Sequence, residues 1–201
     1  MRARLALAVS GQTCELREVV LGHKPDELRQ VSAKATVPVL IDTSGCVLEE
    51  SLDIMLWALQ RHDPLQWLPA QSGLADAMHL ISRCDDDFKP QLDRYKYPNR
   101  FDLADLGAPR EVGAGFIVHM EQRLTRALYL SGAQWGLADA AIAPFVRQFA
   151  HTDSPWFARQ AWPKVQTWLA DFEASALFQS VMMKQPQWQS GQARTLVFDL
   201  P

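Results

Sequence analysis

Few positions in this 201-residue chain combine the side chains and the setting that chemistry needs. Glu50-Ser51 falls where a strand-like run gives way to a helical pattern. A helix start carries unpaired N–H groups and the positive end of the helix dipole, which suits a carboxylate ligand. The Ser51 hydroxyl equally suits ordinary capping of the helix, an interaction of about 1 kcal/mol. Val37-Pro38 lies in a short apolar run. Proline supplies no backbone donor there, fits an edge strand or a bend, and takes a cis bond at modest cost. Lys34, just before that run, suits either a solvated surface or a pair with a carboxylate.

Other reactive residue types lack a matching context. Cys14, Cys46 and Cys84 are odd in number, widely spaced and without a Cys-x-x-Cys pair, so neither a disulfide framework nor a zinc site is encoded. Cys14 opens a strand, Cys46 sits in a hairpin and Cys84 in a helix interior, where nothing lowers a thiol pKa. Ser10 is at the wrong end of a helix dipole. The five histidines are scattered, and no metal ligand is expected. In Asp85-Asp86-Asp87 successive helical side chains point about 100° apart and do not converge, so a solvated face or a bend before Pro90 is expected. Arg94-Tyr-Lys-Tyr-Pro-Asn-Arg100 interleaves basic and aromatic residues as single-strand nucleic-acid binders do. It is short, and a net charge of −3 argues against nucleic acid as a partner.

The elements that must hold these residues change character near residue 62. Before it, β-rich runs alternate with helical ones. The pattern predicts a helix over 1–10 stopped by Gly11, a strand over 15–21, a short helix opened by Pro25, a strand over 37–41, a turn over 42–45 and a strand over 46–48. Leu52, Met55, Leu56 and Leu59 then follow the spacing of a buried helical face. A proline-bearing linker covers 62–72, and the remainder reads as helices near 72–97, 109–130, 137–150, 162–173 and 175–182. The expected division is therefore 1–61, a linker over 62–72, and an all-α domain over 73–201. Asp139 stands in an otherwise apolar helix, so it should be buried, paired and structural. The late tryptophans read as core anchors, with Trp188 a candidate roof for a ligand site. Thr195-Leu-Val-Phe-Asp199 is strand-like and open to joining the sheet, though a surface tail is the favoured expectation. No apolar run reaches the ~20 residues of a membrane span.

The order of elements, with Thr36-Val-Pro-Val-Leu40, Leu48-Glu-Glu-Ser-Leu52 and Gly136-Leu-Ala-Asp-Ala-Ala-Ile142, resembles the cytosolic glutathione S-transferase family of bacterial type. Asp93-Arg-Tyr-Lys-Tyr-Pro98 is similar to a bacterial subgroup with a Cys-Pro catalytic loop. The resemblance implies an α/β thioredoxin-like N-terminal domain that binds glutathione, followed by an all-α domain. It implies a cis Pro38, with the backbone of Val37 on the cysteinyl unit. Ser51 would hold the γ-glutamyl carboxylate, Glu50 the α-amino group and Lys34 the glycine carboxylate. Tyr95 and Tyr97 would line the pocket of a hydrophobic electrophile. Glutathione would be the co-substrate of a cytoplasmic homodimer that detoxifies electrophiles by conjugation or works by thiol exchange, without a nucleic-acid or membrane partner. In the family a Tyr, Ser or Cys after the first strand activates the thiol. That strand and loop would fall before Met1, so no catalytic residue is expected within the chain. The rival reading is a non-catalytic binding or interaction module. Two residues depart from the family pattern: Ala35 stands where relatives often carry Gly, and Gly136 where a Ser or Thr cap is usual.

Overall fold

A computed structural model describes residues 1–102, 105, 107–192 and 195–196, the last two by backbone only. The chain forms two compact units: Met1–Leu65 with Ala176–Pro201, and Gln66–Ser175. The sequence reading left the segment from residue 176 onward with the helical half. It groups instead with the first unit because α10 (Ala176–Met182) packs on α1 (Arg2–Ser10).

In the first unit α1 is buried almost all round. Alanines at 3, 6 and 8 let it lie close against α3 (Ser51–Arg61), which contributes Ile54, Met55, Ala58 and Leu59. Leu52 and Leu56, expected on that buried face, are only half-buried. Gly11 ends α1 in the left-handed conformation, φ 63°, where a glycine carries no Cβ penalty. β2 (Leu40–Ile41) and β3 (Val47–Leu48) form an antiparallel hairpin with Leu40 opposite Leu48. Asp42 organises its turn: one carboxylate oxygen accepts from the Ser44 N–H, the Ser44 hydroxyl and the Cys46 N–H at 2.8, 2.6 and 3.0 Å. Those bonds, the Ser44 hydroxyl first, hold its pKa at about 2. Gly45 takes φ 86° to close the turn.

The ladders are shorter than the sequence predicts. The strand expected over 37–41 pairs only at Leu40–Ile41, and Pro38 has no N–H to give. The strand expected over 15–21 pairs as β1 (Cys14–Glu15) and, beyond it, only at an isolated bridge between Val20 and His23 among the described residues. The antiparallel partner of β1 is β4 (Thr195–Leu196), so the chain's late segment is a sheet strand and not the surface tail that was favoured. An edge strand offers unpaired N–H and C=O groups, and a strand-forming segment satisfies them. The approach is anchored by the Trp188 N–H, which donates to the Glu18 carbonyl at 2.9 Å, and by Arg17, 4.7 Å over the Trp188 ring. Trp188 therefore holds the tail in place. Residues 197–199 of the expected strand lie outside the described residues.

α2 (Asp26–Val31) completes the first unit. The second contains α4 (Gln71–Arg83), a π turn (Cys84–Phe88), α5 (Lys89–Lys96), α6 (Gly107–Leu124), α7 (Leu137–Thr152), α8 (Ser154–Ala158) and α9 (Pro163–Ala174). The single helix expected over 72–97 contains the wider turn because Pro90 lacks an N–H and its ring would press on the carbonyl four residues back. α6 stops at Leu124, short of the expected 130. α8 was not foreseen; Asp153 caps it, accepting from the Trp156 N–H at 3.0 Å. Phe88 stacks on Phe116 at 4.9 Å, and Trp135 stacks on Trp168 and Phe172 at 5.5 and 5.2 Å. Asp139 is fully buried at the start of α7. Its carboxylate accepts from the backbone N–H groups of Leu130, Ser131 and Gly136 at 2.7, 2.9 and 3.2 Å, and from the Trp168 indole at 2.9 Å. Burial pushes its pKa above the ordinary carboxylate value, against the pull of those donors.

Candidate functional site

The N-terminus of α3 is built differently from that of α7. Glu50 is its N-cap residue, with φ −107° and ψ 136°, and Ser51 is the first helical residue. Ser51 was expected to cap this helix, but no side-chain capping bond is present. A cap oxygen reaches the free N–H groups from the residue before the helix, and Ser51 lies one position too late. Its half-buried hydroxyl consequently has no hydrogen-bond partner among the described residues.

The loop over 32–38 is latched to this helix start. Ser32, buried, donates its hydroxyl to Glu49 at 2.6 Å and accepts from the Ala35 N–H at 3.1 Å. Lys34 forms an ion pair with Glu50 at 2.8 Å, both side chains more than half exposed. The Glu50 carboxylate, by hydrogen bond and charge, holds the Lys34 ammonium above its ordinary pKa. Ala35 adopts φ 47°, a left-handed backbone that favours glycine, so the loop keeps the conformation a Gly would take despite the side chain. The Val37-Pro38 bond is cis, as the resemblance implied. Val37 is exposed, and neither its N–H nor its C=O has a partner among the described residues.

The structure therefore pairs Lys34 with Glu50, beside Ser51, in one latched loop-and-helix assembly. Tyr95 and Tyr97 belong to the second unit. Tyr95 packs on Phe149 at 5.3 Å, is 4% exposed, and forms part of the wall of a concavity of about 480 Å³. Tyr97 does not line it; its ring faces Arg100 at 4.3 Å and Lys96 at 5.0 Å. Arg110 and Asp153, which also line the concavity, were missed because each reads in sequence as an ordinary solvated charge.

Cys14 is half-buried and burial pushes its thiol pKa up, opposite to activation. Cys84 is buried and Cys46 exposed. Among the described residues no group of three or more His, Cys, Asp or Glu could hold a metal ion, and no helix is long and apolar enough to cross a membrane.

Family and structural comparisons identify the fold. The glutathione S-transferase N-terminal domain profile matches residues 1–66 and the glutathione S-transferase C-terminal domain profile matches residues 114–171. The chain belongs to the glutathione S-transferase family. It has that family's fold, a thioredoxin-like domain with a small sheet and a helical domain. Among solved structures it is similar to BphK, a bacterial glutathione transferase crystallised as a ternary complex. That likeness has 20% identity and a TM-score of 0.75, over 90% of this chain and 92% of that one. A glutathione S-transferase from Rhodospirillum rubrum is 19% identical with a TM-score of 0.72, over 92% and 87%. Glutathione S-transferase-I bound with lactoylglutathione is 22% identical with a TM-score of 0.73, over 90% and 91%. At these identities the likeness is one of fold. No curated protein sequence matches the chain.

Proposed function

We propose that the chain binds glutathione at the N-terminus of α3 and takes part in its transfer to an electrophile, or in glutathione-dependent thiol exchange. The observation that carries this reading is the uncapped helix start beside a latched loop. The Ser51 hydroxyl and the first-turn N–H groups are available to the γ-glutamyl carboxylate. The exposed backbone of Val37 offers a donor and an acceptor to the cysteinyl amide, as an added strand would use them. Glu50 would take the α-amino group and Lys34 the glycine carboxylate. Because Lys34 and Glu50 are paired with each other, binding a zwitterionic peptide exchanges one exposed ion pair for two. The net electrostatic gain is therefore small, since exposed pairs are worth about 0–1 kcal/mol. The lactoylglutathione held by one structural neighbour is a glutathione thioester, in keeping with a ligand of this class. In this reading Tyr95 belongs to the co-substrate pocket, whereas Tyr97, turned to Arg100 and Lys96, does not, and the protein works as a homodimer in the cytoplasm.

None of these residues activates a thiol; they hold the peptide. Calorimetric titration with glutathione, together with turnover of chlorodinitrobenzene, tests the proposal. Saturable binding with turnover supports a transferase. Binding without turnover leaves the non-catalytic binding module. An absence of heat at millimolar glutathione overturns both.

A further inference from the structure

From residue 13 to residue 31 not one residue is buried. α2 closes this stretch, six residues long and without a side-chain capping bond at its start. A helix that short does not hold in water by itself, and helices in proteins draw most of their stability from a packed face. Polar contacts must therefore hold the stretch in place. Among the described residues, those that reach beyond its own neighbourhood come from two sources. Arg4 of α1 pairs with the Glu18 carboxylate. The others come from the chain's late segment. Leu196 and Thr195 pair with Cys14 and Glu15, and the Trp188 N–H donates to the Glu18 carbonyl at 2.9 Å. Arg17 lies 4.7 Å over the Trp188 ring, and the Ser190 hydroxyl donates to the Glu27 carboxylate at 2.6 Å. The Trp188 indole donates to the Gln192 carbonyl and folds the late segment on itself. Glu27 stands in the first turn of α2. At the other end of the helix, Ser32 is buried and latched to Glu49 beside the start of α3. α2 is thus a short link with one end on the late segment and the other on the loop over 32–38.

We propose that residues 184–192 form a strap that positions the loop over 32–38 through α2, with Trp188 and Ser190 as positioning residues. Segments with few buried contacts open locally at low free energy. With the strap docked, both ends of α2 are fixed and Lys34 and Val37 are kept beside Ser51. With the strap released, α2 frays from Glu27 and the loop loses one of its two supports. A ligand must then order the loop as it binds, which weakens its affinity. The coupling is reciprocal, so a ligand that orders the loop also tightens the strap. The proposal rests on the reading that this loop holds glutathione only for its functional meaning. The mechanical link itself needs no ligand.

Hydrogen exchange on the full chain, resolved by peptide mass spectrometry, tests the link. Thermal melts and calorimetric glutathione titrations accompany it on the same proteins. Ser190→Ala should speed exchange over 26–38 about threefold, the loss of one exposed charge-assisted bond. Exchange in α1 and α3, and Tm, should stay native. Ser190→Thr keeps the hydroxyl and should restore native exchange. Trp188→Ala removes the ring under Arg17 and should speed exchange over 14–38 by about tenfold. Glutathione should bind Ser190→Ala about threefold more weakly, and at saturation it should slow exchange over 187–192 in the native chain. A tail that only added stability would speed exchange throughout the first unit, α1 and α3 included, and that result would overturn the proposal. So would native exchange over 32–38 in both Ser190→Ala and Trp188→Ala, or faster exchange confined to 13–25. Glutathione binding that leaves exchange over 187–192 unchanged would overturn it as well. Faster exchange over 26–38 in a chain that binds no glutathione leaves the strap standing while the glutathione reading fails.

Discussion

Two helices, one in each unit, begin with nearly the same sequence grammar and use it in opposite ways. At the start of α7 the space and the donors are consumed internally. Gly136 contributes no side chain, and a Cβ there would lie 2.7 Å from the Ser131 hydroxyl oxygen, 2.8 Å from the Ser131 Cβ and 3.2 Å from the Trp67 carbonyl. Asp139 reaches back to fill the donor positions, and three backbone N–H groups and one indole close on its carboxylate. At the start of α3 the equivalent acid, Asp53, points to solvent. Glu50 pairs with Lys34, and the Ser51 hydroxyl is unengaged among the described residues. A filled helix start stabilises its own domain, whereas an open one gives up capping energy and keeps its donors for a ligand. The departure of Gly136 from the usual Ser or Thr cap thus has a steric cause: Ser131 and the Trp67 carbonyl occupy the room.

The largest effect should come from breaking the filled terminus. Asp139→Asn turns an NH2 group toward donors that need an acceptor and should cost about 3 kcal/mol or more, read as a urea midpoint shift. That corresponds to a Tm loss of roughly 6–12 °C for a chain of this size. Gly136→Ala should cost about 1–3 kcal/mol by overpacking. The same denaturation curves check it, and a stable Gly136→Ala would mean the start of α7 has room to give.

A third change probes the hairpin next to the open terminus. The Asp42 pKa lies near 2, below its ordinary value of 3.8. A depressed carboxylate contributes stability above its unfolded pKa and loses it as pH falls through the folded one. The stability difference between the native chain and Asp42→Asn should therefore be constant above about pH 5 and shrink steadily between pH 4 and 2. Denaturation midpoints across that range measure it, and a difference independent of pH would remove the charge from the explanation.

Much of this contrast is written locally in the sequence. A lone acid in an apolar helix marks Asp139 as buried and paired, and an Asp-to-Gly turn between two apolar runs marks the hairpin. Gly11 announces the end of α1. These signals are legible because each depends on neighbours within a few residues. What the sequence hides depends on one-residue offsets or on distant partners. Ser51 reads as a cap, yet the helix starts one residue earlier than a cap needs. The pairing of β4 with β1 joins segments about 180 residues apart in the chain, and no local pattern ranks it above a surface tail. Ala35 gives no hint of a left-handed backbone, which the loop's anchoring by Ser32 and Lys34 imposes. Tyr95 is legible as an aromatic core residue, but its place beside Arg110 exists only once α5 and α6 pack together.

The central claim is that the start of α3 is left open for a ligand, and Ser51→Ala tests it most directly. Calorimetric titration with glutathione and a thermal melt should be run on this variant and on the native chain. The account predicts affinity about tenfold weaker with stability within about 0.5 kcal/mol of native, since the hydroxyl serves the ligand and not the fold. Native affinity with a stability loss near 1 kcal/mol, the value of a working cap, would contradict it.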